Sequence, residues 1–478
     1  MKNSFLPRIF MIFFVFVIYN EALAQGYDIT IRINNIKDTA AYLGYNFGDQ
    51  KFVSDTSKVS NGNTLRFTGK KTLPAGIYFV YSPNVYFEII VNEQKFTLET
   101  DTTEFVRHLK IEGSKENRLF NEFQKFMADS QAESAKLAAK MDSLRKANDT
   151  TAAAGIQKEI VDIGEQIKSY QQKLITNNPG TFVSRLVNAM QKPEVPDPPK
   201  NEKGEIIVDK SWQFNYYKKH FFDNFDLADS GLLRSPVYQP KLDEYMDKLT
   251  YQHPDSITAA VDYLLSKAES SREAFRYLLV KLTNKYETSN IMGMERVFVN
   301  LAEKYYMQGK AYWADSSLVA KFSQRVREMK PNLVGNIAPD MQLLDTLMKP
   351  VRLASLRSRF IILYFYDPDC GHCKKVTPEL YNLYNSKLKE KNVGVWAACI
   401  VTDVKKWKNY IRTNHLDWLN VADPYLRSNF RAEYDIKTTP TIYILDSRKE
   451  IIAKRIGVEQ IEDFINRMIE IEDLKSKS

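Results

Sequence analysis

Cys370-Gly371-His372-Cys373 constrains this chain more than any other segment. It follows the apolar run Phe360-Ile361-Ile362-Leu363-Tyr364-Phe365-Tyr366 and precedes a helix-like stretch, Lys374 to Lys391. A strand therefore delivers a Cys-x-x-Cys to the first turn of a helix. That turn carries unpaired backbone N–H groups and the positive end of the helix dipole, and both favour an anion. A thiolate at Cys370 is stabilised there, so its pKa is expected below the roughly 8.5 of a free cysteine. Cys373, one helical turn later, can close or open a disulfide with it. Two other readings compete with a dithiol redox centre. Zinc needs two further ligands at suitable spacing, and the candidates are Cys399 and the scattered His108, His220, His253 and His415. A purely structural disulfide across two residues is a weak staple, because entropic stabilisation grows with loop length.

The surroundings sharpen the redox reading. Asp367-Pro368-Asp369-Cys370-Gly371-His372-Cys373-Lys374 resembles a thioredoxin-fold active site, with Gly371 and His372 as the inner pair found in protein disulfide isomerases. Pro378 stands where thioredoxins carry a proline in the active-site helix. Thr438-Thr439-Pro440-Thr441-Ile442 resembles the loop that holds a cis-proline beside the disulfide, which implies a cis Thr439–Pro440 bond and substrate binding by Thr439 and Pro440. Gly335-Asn336-Ile337-Ala338-Pro339-Asp340 is similar to the start of extracytoplasmic TlpA/ResA-type domains of Bacteroidota, a motif shared with peroxiredoxins. Peroxiredoxins need a proline seven residues before the reactive cysteine, and Leu363 and Tyr366 occupy those positions here.

Three positions depart from these relatives. Tyr364 replaces the buried aspartate that relays a proton to the resolving thiol, Val376 replaces a glutamate, and Asp369 replaces a tryptophan. Glu379 or a water is the substitute to look for. Asp369, if close, raises the pKa of Cys370, and a protonated His372 lowers it. Cys399 lies in the apolar run Val393 to Val401 and reads as a core thiol, with a third redox partner as the alternative.

The chain begins with a leader. Lys2 and Arg8 precede the apolar run Ile9 to Tyr19, and Ala22-Leu23-Ala24 is a cleavage site, so residues 1–24 read as a secretory signal peptide. No cysteine follows the site, which leaves no lipid anchor of the bacterial lipoprotein kind. The expected location is the periplasm or cell envelope, with no membrane anchor after cleavage. A formal charge of +8 spread among interleaved acids and bases implies no nucleic-acid partner.

A chain of 478 residues argues for several domains. Residues 25–113 alternate with period two, as in Tyr27-Asp28-Ile29-Thr30-Ile31-Arg32-Ile33, and predict an antiparallel β sandwich-like domain. The domain resembles one that precedes thioredoxin-like domains in Bacteroidota envelope proteins, through Val53-Ser54-Asp55-Thr56, Leu73-Pro74-Ala75-Gly76-Ile77-Tyr78 and Gly113-Ser114-x-x-Asn117. Residues 114–332 predict an α-helical middle region, with helices over Asn117–Ala147 and Ala152–Thr176 joined at Asn148-Asp149-Thr150. Residues 333–478 predict a C-terminal α/β thioredoxin fold.

The expected function is extracytoplasmic thiol–disulfide exchange, with Cys370 and Cys373 catalytic and forming the redox disulfide, His372 and Gly371 tuning it, and no metal or cofactor. The resemblance implies protein thiol and disulfide substrates and a reductase served by a membrane-bound electron donor. The alternatives are an isomerase or oxidase, or a non-catalytic envelope adaptor.

Overall fold

The alternation in Tyr27 to Ile33 is realised directly. In the structure, a computed structural model, Ile29, Ile31 and Ile33 are fully buried while Arg32 is exposed. The structure describes residues 26–60, 62–289 and 291–477. The leader expected over residues 1–24 lies outside the described residues.

The chain divides into two compact units between Leu242 and Asp243. The first begins with eight strands: β1 (Tyr27–Asn34), β2 (Ala40–Phe47), β3 (Gln50–Lys58), β4 (Thr64–Gly69), β5 (Gly76–Ser82), β6 (Val85–Val91), β7 (Lys95–Asp101) and β8 (Lys110–Glu112). They form two four-stranded sheets, β4-β1-β7-β8 and β3-β2-β5-β6. Their apolar faces share a core that includes Phe67, Tyr78, Ile89 and Leu98. One pairing is parallel, β1 with β7. Between them the chain builds the second sheet, and that long crossover returns it in its original direction, as a hairpin does not.

The Gly113-Ser114-x-x-Asn117 motif has a structural task. Ser114 caps helix α1 (Lys115–Lys146) by accepting from the Asn117 N–H at 3.0 Å. The Asn117 side chain in turn pairs with both backbone groups of Ile90 on β6, at 2.8 and 2.7 Å. The helix is thereby stitched to the sheet. Asn148 adopts a left-handed φ of 57° and Asp149 caps α2 (Thr150–Asn177), so the chain reverses where the sequence placed the turn. Phe126 and Tyr170 stack across the two helices, with centroids 4.0 Å apart. Four shorter helices follow: α3 (Phe182–Met190), α4 (Trp212–His220), α5 (Ser230–Leu233) and α6 (Tyr238–Asp243).

The second unit opens with α7 (Pro254–Ala268), α8 (Arg272–Glu287), α9 (Glu295–Leu301) and α10 (Ser316–Met329). The helical stretch read over 114–332 therefore contributes to both units. Then come β9 (Gln342–Asp345), β10 (Pro350–Arg352), β11 (Phe360–Tyr366), α11 (Gly371–Leu383), β12 (Val393–Cys399), α12 (Val404–Thr413), β13 (Leu419–Ala422), α13 (Phe430–Glu433), β14 (Thr441–Asp446), β15 (Ile451–Lys454) and α14 (Val458–Lys477). Their sheet runs β10-β9-β13-β12-β11-β14-β15. β11, β12 and β13 are parallel, and β14 is antiparallel to β11.

β11 is buried on both faces, which explains its unbroken apolar sequence. Phe360, Ile362, Tyr364 and Tyr366 enter one core, with Cys373, Trp407 and Ile461. Ile361, Leu363 and Phe365 enter the other, with Phe430, Tyr434 and Tyr443. The C-terminal end of this central strand feeds the Cys-x-x-Cys, and the start of its antiparallel neighbour β14 follows Pro440. Among the described residues no helix is long and apolar enough to cross a membrane.

Candidate active site

The turn after β11 is fixed before the first cysteine is reached. The Asp369 N–H donates to the Asp367 carboxylate at 2.8 Å, and the Cys370 N–H donates to the Asp367 carbonyl at 3.1 Å. Cys370 then occupies the N-cap of α11 in an extended conformation. Cys370 is partly exposed, whereas Cys373, one turn later, is fully buried.

The two thiols are electrostatically unlike. The backbone N–H of Cys373 points at the Cys370 sulfur and is the main influence that lowers its pKa below the ordinary thiol value. Burial, second in size, opposes it, and the Thr439 hydroxyl, the Cys373 thiol and the His372 backbone N–H reinforce it. Burial pushes Cys373 the other way, up to about 11. The result is one sulfur prepared to be a thiolate and one held as a thiol.

Thr439 approaches from the opposite side. Its carbonyl accepts from the Cys370 thiol at 3.1 Å, and the Thr439–Pro440 peptide bond is cis. Beside Pro440 lies an open groove of about 310 Å³, lined by Val376, Glu379, Thr438, Arg455 and Glu459 among others. The structure thus brings Cys370, Cys373, Thr439 and Pro440 to one place. His372 and Gly371 lie on the exposed side of the first helical turn. The hydrogen bond that His372 directs at Cys370 comes from its backbone.

Asp369 stands beside a second charge that opposes its own. Lys406 on α12 forms an ion pair with its carboxylate, and the Cys370 pKa moves down. Glu379 is exposed in the groove wall, away from the buried side of Cys373. On that buried side the neighbouring polar groups are hydroxyls. Tyr364 is 2.7 Å from the Thr377 hydroxyl, and Tyr410 donates to the same hydroxyl at 2.9 Å and to the Cys373 carbonyl at 3.3 Å. Burial drives the pKa of Tyr364 and Tyr410 upward, so both stay neutral. Thr377 and Tyr410 escape a sequence reading because neither has a motif of its own. Thr377 was findable, since it stands four residues after Cys373 on the helix face that also buries Cys373.

Cys399 is fully buried at the end of β12, in register with Tyr366 on β11. Burial raises its pKa to about 12. It packs in the same core as Cys373.

Comparison with known proteins finds three matched stretches, one of which crosses the division between Leu242 and Asp243. Residues 334–454 match the AhpC/TSA family. Residues 27–120 and 162–329 match two domains of unknown function, DUF4369 and DUF5106. Among solved structures, a domain of a possible thiol-disulfide isomerase from Cytophaga hutchinsonii is 38% identical, with 97% of its length covered by 30% of this chain and a TM-score of 0.28. A thiol-disulfide oxidoreductase from Bacteroides fragilis is 25% identical, with 99% of its length covered by 28% of this chain and a TM-score of 0.26. A thioredoxin-like protein from Bacteroides caccae is 18% identical, with 96% of its length covered by 57% of this chain and a TM-score of 0.45. No curated protein matches the chain.

Proposed function

The chain belongs, through its C-terminal domain, to the thioredoxin-like thiol–disulfide oxidoreductases, and from that premise we propose that it reduces protein disulfides outside the cytoplasm through Cys370 and Cys373. The observation that carries this reading is the asymmetry of the pair. Cys370 is partly exposed with a lowered pKa, and Cys373 is buried with a raised one.

The chemistry follows from that asymmetry. The Cys370 thiolate attacks one sulfur of a substrate disulfide, and the other substrate sulfur leaves as a thiolate and takes up a proton. Cys373 then loses its proton and attacks the Cys370 sulfur of the mixed disulfide. The Cys370–Cys373 disulfide forms and the second substrate thiol departs. Two electrons pass from the enzyme dithiol to the substrate. A thiol donor must return them, and we assign that part to a membrane-bound electron donor, in keeping with an envelope location and the leader at residues 1–24. Thr439 and Pro440 offer backbone to the substrate beside the attacking sulfur. The AhpC/TSA match raises peroxidase activity as a second reading, but Leu363 and Tyr366 stand where a peroxidatic site carries proline.

The test is the reduction potential of the Cys370–Cys373 couple in a dithiothreitol or glutathione series. About 30 mV corresponds to ~1.4 kcal/mol for this two-electron couple. A potential near that of reducing thioredoxins is expected. One near the strongly oxidising end would replace the reductase reading with an oxidase.

A further inference from the structure

The helices that precede the thioredoxin-like domain reach into it through buried charges. Asp435 is the centre. Its side chain is fully buried and its backbone is left-handed, with φ 48°, a conformation that aspartate tolerates better than most residues. Three cations converge on its carboxylate. Arg325 of α10 donates at 2.7 Å, Arg455 donates at 3.0 Å, and Lys437 lies 3.5 Å away. Glu328, one turn after Arg325 on α10, accepts from Arg325 at 3.2 Å and from Lys437 at 2.8 Å.

These contacts bear on the reactive centre by position. Asp435 stands three residues before Thr438, the first residue of the loop that carries Thr439 and Pro440. Thr438 and Arg455 both line the groove beside Pro440. The carboxylate therefore ties together helix α10, the loop whose Thr439 touches the Cys370 sulfur, and the opposite groove wall. A second buried pair joins the preceding helix, α9, to the residue before Arg455. Lys454, 2% exposed, lies 2.5 Å from Glu295 of α9 and donates to the Asn332 side-chain oxygen at 2.7 Å. Lys454 ends β15 and Arg455 is the next residue. Two ionic clusters thus join the helical segment 295–332 to the groove residue Arg455 and to Lys454 immediately before it.

We propose that Asp435 is a positioning residue, through which Arg325 of the helical segment holds the Thr438–Pro440 loop against Cys370 and sets how substrate is bound. The inference rests on the dithiol reading and adds to it a role for helices that otherwise have none in the reaction. Without Arg325 the buried Asp435 carboxylate keeps the more exposed Arg455 and Lys437 and loses its most buried partner, so its neighbours move. Movement of Thr439 weakens the hydroxyl contact that favours the Cys370 thiolate and shifts the backbone offered to substrate.

The test uses the full chain with Arg325→Gln, Arg325→Lys and Asp435→Asn, a disulfide-bonded peptide as substrate, and the Cys370 thiolate absorbance followed against pH. Arg325→Gln and Asp435→Asn should lower kcat/KM roughly ten-fold, within the range for small misplacements near a reaction centre, with a rise in KM as part of the loss. The Cys370 titration should move to higher pH in both. Arg325→Lys, which keeps the charge and loses the fork, should show a smaller fall in kcat/KM. If Arg325→Gln does not fold, Arg325→Lys decides alone. Values of kcat/KM and thiolate titrations equal to wild type, whatever the loss of thermal stability, would overturn the inference. Wild-type protein that reduces nothing, or Cys370→Ser that remains active, would instead defeat the dithiol reading beneath it.

Discussion

The N-terminal sheets and the C-terminal sheet solve the burial problem differently. In the first, the two sheets share one core and the outer face is only partly covered: Ile77, Phe79 and Ile90 on it are buried, while its tyrosines are open to water. Tyr42, Tyr81 and Tyr86, cross-strand neighbours on β2, β5 and β6, are each more than 40% exposed. In the second, β11 is buried on both faces and every side chain from Phe360 to Tyr366 is inaccessible. A strand enclosed on both sides has only its ends in contact with the surface. Chemistry therefore gathers at the end of β11, where Cys370 emerges, and the two flanking cores hold that end still. Among the described residues no strand of the N-terminal sheets is enclosed along its whole length.

Cysteine substitution gives the largest separation between the two regions. Cys370→Ser should bring insulin reduction to background, and Cys373→Ser should accumulate mixed disulfides with substrate, since the first attack survives and the resolving step does not. Iodoacetamide that labels Cys373 before Cys370 in the reduced protein would reverse the assignment. No substitution in the N-terminal sheets should reproduce either result.

Core truncation tests the same contrast through stability. Phe67 and Phe365 are both fully buried, one in each kind of sheet. Phe67→Ala and Phe365→Ala should each cost about 3–5 kcal/mol in chemical denaturation. Phe365 packs on Phe430, Tyr434 and Tyr443, directly beneath the loop leading to Pro440. Phe365→Ala should therefore shift the Cys370 thiolate titration as well, while Phe67→Ala leaves it in place. Equal effects on the titration would erase the distinction drawn between the sheets.

How much of this was legible in the sequence depends on how local each signal is. The Cys-x-x-Cys, the apolar run before it and the Thr-Thr-Pro loop are contiguous segments, and each fell where a sequence reading placed it. The turn at Asn148 was equally local. The parallel pairing of β1 with β7 was not, because both strands alternate in the same way and only the path between them sets their direction. Lys406 facing Asp369 and Tyr410 facing Thr377 join residues more than thirty positions apart, with nothing in either neighbourhood to announce the partner. Helix α3 had a readable signal: Thr181 caps it through the Ser184 N–H, and Phe182, Val183, Leu186 and Val187 repeat on one face. The division at Leu242 has none, since helical periodicity continues across it.

The buried thiols give a pH test of intermediate size. Cys373 and Cys399 have pKa values raised to about 11 and about 12 by burial. A raised pKa favours the protonated fold, so this contribution is complete below the ordinary thiol range and is lost as pH rises through it toward 11 and 12. Cys399→Ala should flatten the alkaline loss of stability in a melting series without changing the alkylation rate of Cys370. A change in that rate would reopen Cys399 as a redox partner.

The smallest effect concerns His372, where the structure separates two contributions that the sequence had merged. The backbone N–H of His372 points at the Cys370 sulfur and favours its thiolate. The imidazole, on an exposed helical turn, adds positive charge when protonated. Stabilising the thiolate stabilises the reduced protein and makes the couple more oxidising. His372→Ala removes only the ring, and His372→Pro removes the ring and the N–H at a position in the first turn where proline fits a helix. Both should make the potential more negative, proline by more, with a total of roughly 30 mV or less, equivalent to ~1.4 kcal/mol. The thiolate titration should rank wild type, alanine and proline in rising pKa. Superimposable curves for alanine and proline would assign the whole effect to the ring. Superimposable curves for wild type and alanine would assign it to the backbone, and the comparison between a tuned strand end and an untuned sheet would then rest on main-chain geometry alone.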